Sequence, residues 1–262
     1  MQKTVKVLML GDVIGAPGMR ALFAGLGSLA KKVQADLVVA NGENAQGGYG
    51  ITKEDSDRMF ASGVDVISSG NHVWERPLAA ELLDSEPRLL RPANYPAGAP
   101  GSGSCHVLAK GGSEWFIVNA QGREGMYAID CPFRICSEIA KRARREHPGA
   151  FIVVDFHAES AEEKEALAWH LDGSISVLAG THTHVQTADE RILPKGTGYL
   201  TDLGMTGPAE SVIGVKREIC LQRSLTQIPI KMETAEGDAT IQGAVFTLDA
   251  ATGACLSIER VR

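Results

Sequence analysis

The chain has 262 residues, of which 44% are hydrophobic and 22% charged, with a formal net charge of -6. That composition is ordinary for a globular protein and sufficient to bury a large core; the acidic balance argues against wrapping duplex nucleic acid, which requires a basic face, but permits a small anionic substrate whose charge is met by bound cations. No stretch approaches the roughly 18 apolar residues of a membrane span, MQKTVKVLML is too short for a signal peptide, and the five scattered cysteines, with no CxxC pair, read as bystander thiols of a reducing cytoplasm.

Without low-complexity segment, repeat or linker, residues 1–262 read as a single domain. Val5–Leu10 is an apolar run suited to a strand buried on both faces. Gly18–Val33 carries Met19, Leu22, Phe23, Leu26, Ala30 and Val33 at helical spacing. Leu37–Ala40 is the next strand, and Thr52 with Asp55 forms a capping-box signature for a helix to about Ser62. Val64–Ser68 is predicted as strand and Pro77–Leu83 as a short helix with proline in its first turn. Cys105–Ala109 and Trp115–Ala120 flank a Lys110-Gly111-Gly112-Ser113 turn and predict a hairpin. Pro132–Arg145 is predicted helical and Phe151–Asp155 strand; Ser160 and Glu163 give a second capping box, for a helix ending near Leu171, before a strand at Ile175–Leu178. From Gly198 the pattern changes: Gly198–Asp202, Thr226–Glu233, Thr240–Asp249 and Cys255–Val261 predict strands of an antiparallel meander completing a second sheet. The expected fold is α/β, a sandwich of two mixed sheets flanked by helices.

Polar motifs follow the carboxyl ends of five predicted strands: Gly11-Asp12, Gly42-Glu43-Asn44, Gly70-Asn71-His72, His157, and Gly180-Thr181-His182-Thr183-His184. In open α/β sheets ligands bind outside the carboxyl ends of the strands, so five segments deliver carboxylate, amide and imidazole groups to one crevice. The glycines opening four of these motifs fit sharp turns in which backbone comes close to a ligand. Taken singly, each fragment is explained by helix capping, turn chemistry or a satisfied core histidine; their joint order at successive strand ends is not. Carboxylate, amide oxygen and imidazole without thiolate suit iron, manganese or zinc, and a carboxylate such as Glu43 can bridge two cations. His106, His147 and His170 are read as structural, and Gly47-Gly48 and Gly101–Gly103 as loops, since neither is followed by GK[ST].

The order GD…GEN…GNH…H…GTHTH resembles the calcineurin-like metallophosphoesterases, which usually open with Asp-x-His and continue through GD and GNH to GHxH. Ile14 replaces the usual first histidine and Glu43-Asn44 stands where a bridging aspartate is usual. Both departures are shared by the YmdB-like 2′,3′-cyclic-nucleotide 2′-phosphodiesterase branch, which GDVIGAPG, NGENAQGGYGIT, SGNHVW, RPANYP, FHAE, AGTHTHVQTAD and YLTDLGMTGP resemble over essentially the whole length. The resemblance implies a four-layer α/β/β/α sandwich. It implies two divalent ions, iron with manganese as a substitute, one held by Asp12, Glu43, Asn44 and His184 and the other by Glu43, Asn71, His157 and His182. It makes His72 the proton donor in hydrolysis of a 2′,3′-cyclic nucleotide to a 3′-nucleotide. Asn94, Tyr95, Arg123 and Thr206 are loop residues within reach of such a site, and a homo-oligomer is expected. The rivals are a phosphomonoesterase, a barrel amidohydrolase, disfavoured because HxH comes last, and a regulatory or scaffold protein that keeps the metal site and binds RNA or protein.

Overall fold

The structure is a computed structural model that describes residues 3–262. In chain order its elements are β1 (Thr4–Leu10), β2 (Asp12–Val13), α1 (Gly15–Val33), β3 (Leu37–Asn41), α2 (Lys53–Ala61), β4 (Val66–Ser68), α3 (Ala79–Ser85), β5 (Ser104–Leu108), β6 (Glu114–Gln121) and α4 (Pro132–Glu146). They continue with β7 (Phe151–His157), α5 (Ala161–Leu171), β8 (Val177–Thr181), β9 (Arg191–Ile192), β10 (Gly198–Leu200), β11 (Met205–Pro208), α6 (Arg217–Thr226), β12 (Ala239–Thr240), β13 (Gly243–Asp249) and β14 (Cys255–Val261).

Two mixed sheets form the sandwich: a five-stranded sheet in the order β14-β13-β1-β3-β4 and a six-stranded sheet in the order β5-β6-β7-β8-β10-β9. The period-two alternation of each strand assigns its residues to layers. From β1, Val5, Val7 and Met9 face the second sheet and meet Trp115, Ile117, Val153 and Val177, while Leu8 and Leu10 face outward onto Leu22 and Leu26 of α1 and Met59 of α2. From the second sheet, Phe116, Val118, Ile152 and Val154 face outward onto Ala140 of α4 and Leu167 of α5. Three apolar layers therefore separate four structural ones, the α/β/β/α order. Each fully buried leucine in them contributes about 1.5–3 kcal/mol.

Several sequence expectations are corrected. The carboxyl-terminal third is no meander: β13 pairs antiparallel with β1 and carries β14 on its far edge, whereas β10 pairs parallel with β8 in the other sheet. A third, three-stranded sheet, β12-β11-β2, joins Asp12–Val13 to Met205–Thr206 in parallel. Thr226–Glu233 is not a strand; the preceding residues form α6, whose periodicity is weak because none of its residues is buried. The short helix α3 begins two residues beyond Pro77, with Leu78 held at φ 65 as its N-cap. The Thr52–Asp55 capping box is complete, but that of Ser160 is half made: its hydroxyl accepts from Glu163 N, while the Glu163 carboxylate accepts instead from the backbone of Arg123 and Glu124.

Candidate metal centre

Strand ends from both sheets meet at one rim of the sandwich. β1, β3 and β4 lead to Asp12, Glu43-Asn44 and Asn71-His72; β7 ends on His157, and β8 leads to His182 and His184. Asp12, Glu43 and His157 are fully buried. Nε2 of His157 lies 2.9 Å from Glu43 Oε1, 3.0 Å from Asn71 Oδ1 and 3.0 Å from His182 Nδ1. Four potential ligand atoms from four segments therefore face one point. Beside them, Asp12 Oδ1 lies 3.1 Å from the Asn44 amide nitrogen and 3.6 Å from His184 Nε2, and that amide lies 3.3 Å from the same imidazole nitrogen. A half-turn of the Asn44 amide presents its oxygen to the same point. The His182-Thr183-His184 segment thus sends its first imidazole to one group and its second to the other.

The residues fit metal ions on two counts. Glu43 Oε1 is buried and accepts no well-formed hydrogen bond among the described residues, although His157 Nε2 faces it at 2.9 Å; a buried acceptor left so costs about 1–3 kcal/mol unless another group or ion satisfies it. The donor set, two carboxylates, two amides and three imidazoles, is that of hard to borderline divalent ions. The protonation balance is strongly perturbed. Burial pushes the Asp12 carboxyl up, but the hydrogen bond and charge of His184 and the charge of His157 outweigh it and hold the group well below the usual carboxylate range. Burial likewise opposes ionisation of Glu43, and the neighbouring His157 reverses it. Burial and the adjacent His157 charge lower His182 to about 4; His184, despite its burial, is raised to about 9 by Asp12.

Residues that sequence reasoning did not single out hold this arrangement. His157 Nδ1 lies 3.0 Å from Thr181 Oγ1, which donates to Asp155 Oδ1 at 2.8 Å; Ser68 also donates to Asp155, whose carboxyl burial raises to about 6. A charged residue two positions before His157 in an otherwise apolar strand was the available signal, since it shares the histidine's face. Asp202 accepts from Thr183 N at 3.2 Å and Gly204 N at 2.9 Å while pairing with the fully buried Lys164 at 2.8 Å. Gly204 in turn accepts from Asp12 N, so one buried ion pair anchors both the His182–His184 segment and the first motif. His182 and His184 sit at φ 102 and 62, in the left-handed region, a cost of order 1–3 kcal/mol each that such anchoring sustains.

The glycines of the motifs act differently from the expectation. None of Gly11, Gly42, Gly70 and Gly180 has positive φ; each admits a close approach within the protein. A Cβ on Gly70 would stand 2.1 Å from the His157 ring, and one on Gly180 would stand 1.9 Å from the Thr201 carbonyl.

A cavity of about 480 Å³ opens beside the cluster, lined by residues including Glu43, Asn44, Tyr49, His72, His182, His184, Ile213, Met232 and Glu233. His72 donates its backbone N–H to Glu43 Oε2 at 3.0 Å; its ring packs edge-on against Tyr49 at 5.0 Å, with Nδ1 3.6 Å from Glu75. Asn94, Tyr95, Arg123 and Thr206 are absent from this lining. Asn94 is fully buried and its amide is bonded to Gln121 and Asp130; Tyr95 packs on Trp74, and Thr206 is fully buried in β11. The side of the cavity they were expected to form is built instead by the 209–238 excursion, through Ile213, Gly214, Val215, Met232, Glu233 and Thr234.

This chain is similar to proteins that share its fold and its length. It is 42% identical over 257 residues to the 2′,3′-cyclic-nucleotide 2′-phosphodiesterase of Bacillus subtilis, covering 98% of this chain and 96% of that one. A solved structure of a phosphatase from Mycoplasma pneumoniae superposes with a TM-score of 0.92 at 32% identity, covering 100% of this chain and 94% of that chain. The structure of a hypothetical protein from Thermus thermophilus superposes with a TM-score of 0.89 at 39% identity, with 98% of both chains covered. The profile of the YmdB-like proteins matches residues 8–261, and with the clustered strand-end motifs lying inside that span, the chain belongs to the YmdB-like family.

Proposed function

We propose that the chain is a metal-dependent phosphodiesterase of 2′,3′-cyclic nucleotides, acting as one domain over residues 1–262. Asp12, Glu43, Asn44 and His184 hold one divalent ion and Glu43, Asn71, His157 and His182 the other. The observation that carries this reading is the pair of abutting ligand groups, with buried Glu43 Oε1 turned toward His157 and His182 in one of them. Iron, or manganese in its place, suits the donor set. Bound there, the two ions supply Lewis acidity toward phosphoryl oxygens and a nucleophile that is deprotonated near neutral pH.

The chain's own residues set substrate and proton transfer. Among the described residues no lysine or arginine lines the cavity, whereas Glu159 and Glu233 do, Glu233 paired with Lys216. A phosphodiester carries one negative charge and a monoester close to two near neutral pH, so the Glu159 carboxylate favours the diester. His72, with Nδ1 toward Glu75, has Nε2 left to give a proton to the departing ribose oxygen. Tyr49, which packs against His72, and Ile213 and Met232 of the same cavity offer apolar surface to a base. Five free cysteines favour a reducing, cytoplasmic site of action.

In-line displacement places attacking and leaving oxygens on opposite sides of phosphorus, so one acid in a fixed place releases one ribose oxygen. The Bacillus subtilis relative is named a 2′-phosphodiesterase, which supports departure of the 2′-oxygen. Chromatography of products from 2′,3′-cyclic AMP should show 3′-AMP alone; pure 2′-AMP overturns the regiochemistry, and an even mixture overturns the single proton donor.

A further inference from the structure

Each histidine of the cluster presents one nitrogen inward and has a partner for the other. For His157 the outer nitrogen is Nδ1, at 3.0 Å from a Thr181 hydroxyl whose proton points to Asp155, so that hydroxyl accepts. For His184 it is Nδ1, at 2.8 Å from the Ile213 carbonyl, which can only accept. Both partners place the proton on the outer nitrogen and leave Nε2 with its lone pair inward. For His182 the order of nitrogens is reversed: Nδ1 faces His157, and Nε2 lies 3.0 Å from Oε2 of Glu159.

We propose that Glu159 is the positioning residue of His182: it accepts the Nε2 proton, fixes the tautomer and ring rotation, and so directs the Nδ1 lone pair to the ion shared with His157. This rests on the metal-dependent reading above. The geometry supports it in three ways. The His182 backbone is held elsewhere, by its N–H to Asp12 Oδ2 at 3.1 Å and by Thr183 N to Asp202, so the backbone leaves the rotation of the ring undetermined. Turning the imidazole by half a turn replaces Nδ1 with a carbon facing the ligand point, and no other hydrogen bond to Nε2 among the described residues opposes that turn. Glu159 is itself well placed, one residue before the N-cap Ser160 of α5, whose hydroxyl accepts from Glu163 N, and two after His157 at the end of β7. Its counterparts for His157 and His184 are buried or main-chain groups, whereas Glu159 is 59% exposed and can be replaced without opening the core.

The test compares chelator-stripped wild type, Glu159→Gln and Glu159→Ala by calorimetric titration with manganese, with elemental analysis of the loaded proteins. Wild type should take up two ions. Glu159→Ala should bind one of them about 10–100-fold more weakly, the usual cost of removing an orienting partner. Glu159→Gln, whose amide oxygen accepts the same proton, should stay within about threefold of wild type. Melting of the stripped proteins should be alike, and excess manganese should restore kcat of Glu159→Ala on bis(p-nitrophenyl) phosphate. Three results overturn the inference: wild-type manganese affinity in Glu159→Ala, equal weakening in the Gln and Ala variants, or a raised KM with unaltered metal binding, which is the behaviour of a substrate contact. Failure of wild type to bind two ions after reconstitution would instead refute the dinuclear reading itself.

Discussion

The Lys164–Asp202 pair offers the most demanding test of how the fold holds the site. Both side chains are fully buried, 2.8 Å apart, and Asp202 also accepts from the backbone of Thr183 and Gly204. Lys164→Met keeps the aliphatic stem and removes the charge, leaving Asp202 ionised in the interior or forcing it to take up a proton. Breaking one partner of a buried pair costs about 3–5 kcal/mol. For a chain of this size each kcal/mol lowers the melting temperature by about 2–4 °C, so a fall of about 6–20 °C is expected by circular dichroism. Because Thr183 stands between His182 and His184, manganese affinity should fall as well, even at temperatures where the variant is folded. Adding Asp202→Asn removes the uncompensated charge while keeping one acceptor, and should recover more than half of the lost stability. A cost under about 1 kcal/mol for Lys164→Met, or a double variant less stable than the single one, would refute this account of the pair.

Other consequences are equally direct. His72→Ala should retain its metal by elemental analysis yet lose about 10²–10⁴-fold in kcat on 2′,3′-cyclic AMP, whose leaving group needs a proton; full activity on that substrate rules out the donor role. Glu43→Ala should lose metal outright, since in the proposed arrangement its carboxylate serves both ions, and plasma emission spectrometry reads this directly. Gly70→Ala, whose Cβ would stand 2.1 Å from the His157 ring, should displace that imidazole and weaken metal binding with the far-UV spectrum preserved. Gly180→Ala should destabilise the whole chain, because the obstacle there is the Thr201 carbonyl at 1.9 Å, which cannot turn away as a side chain can.

The sequence determined the parts of this protein that depend on local pattern. Apolar runs bounded by turn residues located β1, β3, β6, β7 and β8, because a strand buried on both faces needs no partner to be recognisable. The candidate ligand residues were legible for a related reason: polar groups placed directly after such runs conflict with burial, and Asp12, Glu43, Asn44, Asn71, His157, His182 and His184 all lie together in the structure. Only the tertiary structure decided what joins distant segments. Whether β13 and β10 share a sheet depends on hydrogen bonds to β1 and β8, which leave no trace in the periodicity of either strand. The helix α6 escaped notice because it buries nothing and so lacks an apolar stripe. The roles of Asp155, Lys164 and Asp202 exist only as pairings across 26, 38 and 38 residues with Thr181, Asp202 and Lys164. A buried charge is tolerable only beside its partner, and that partner is chosen by the fold.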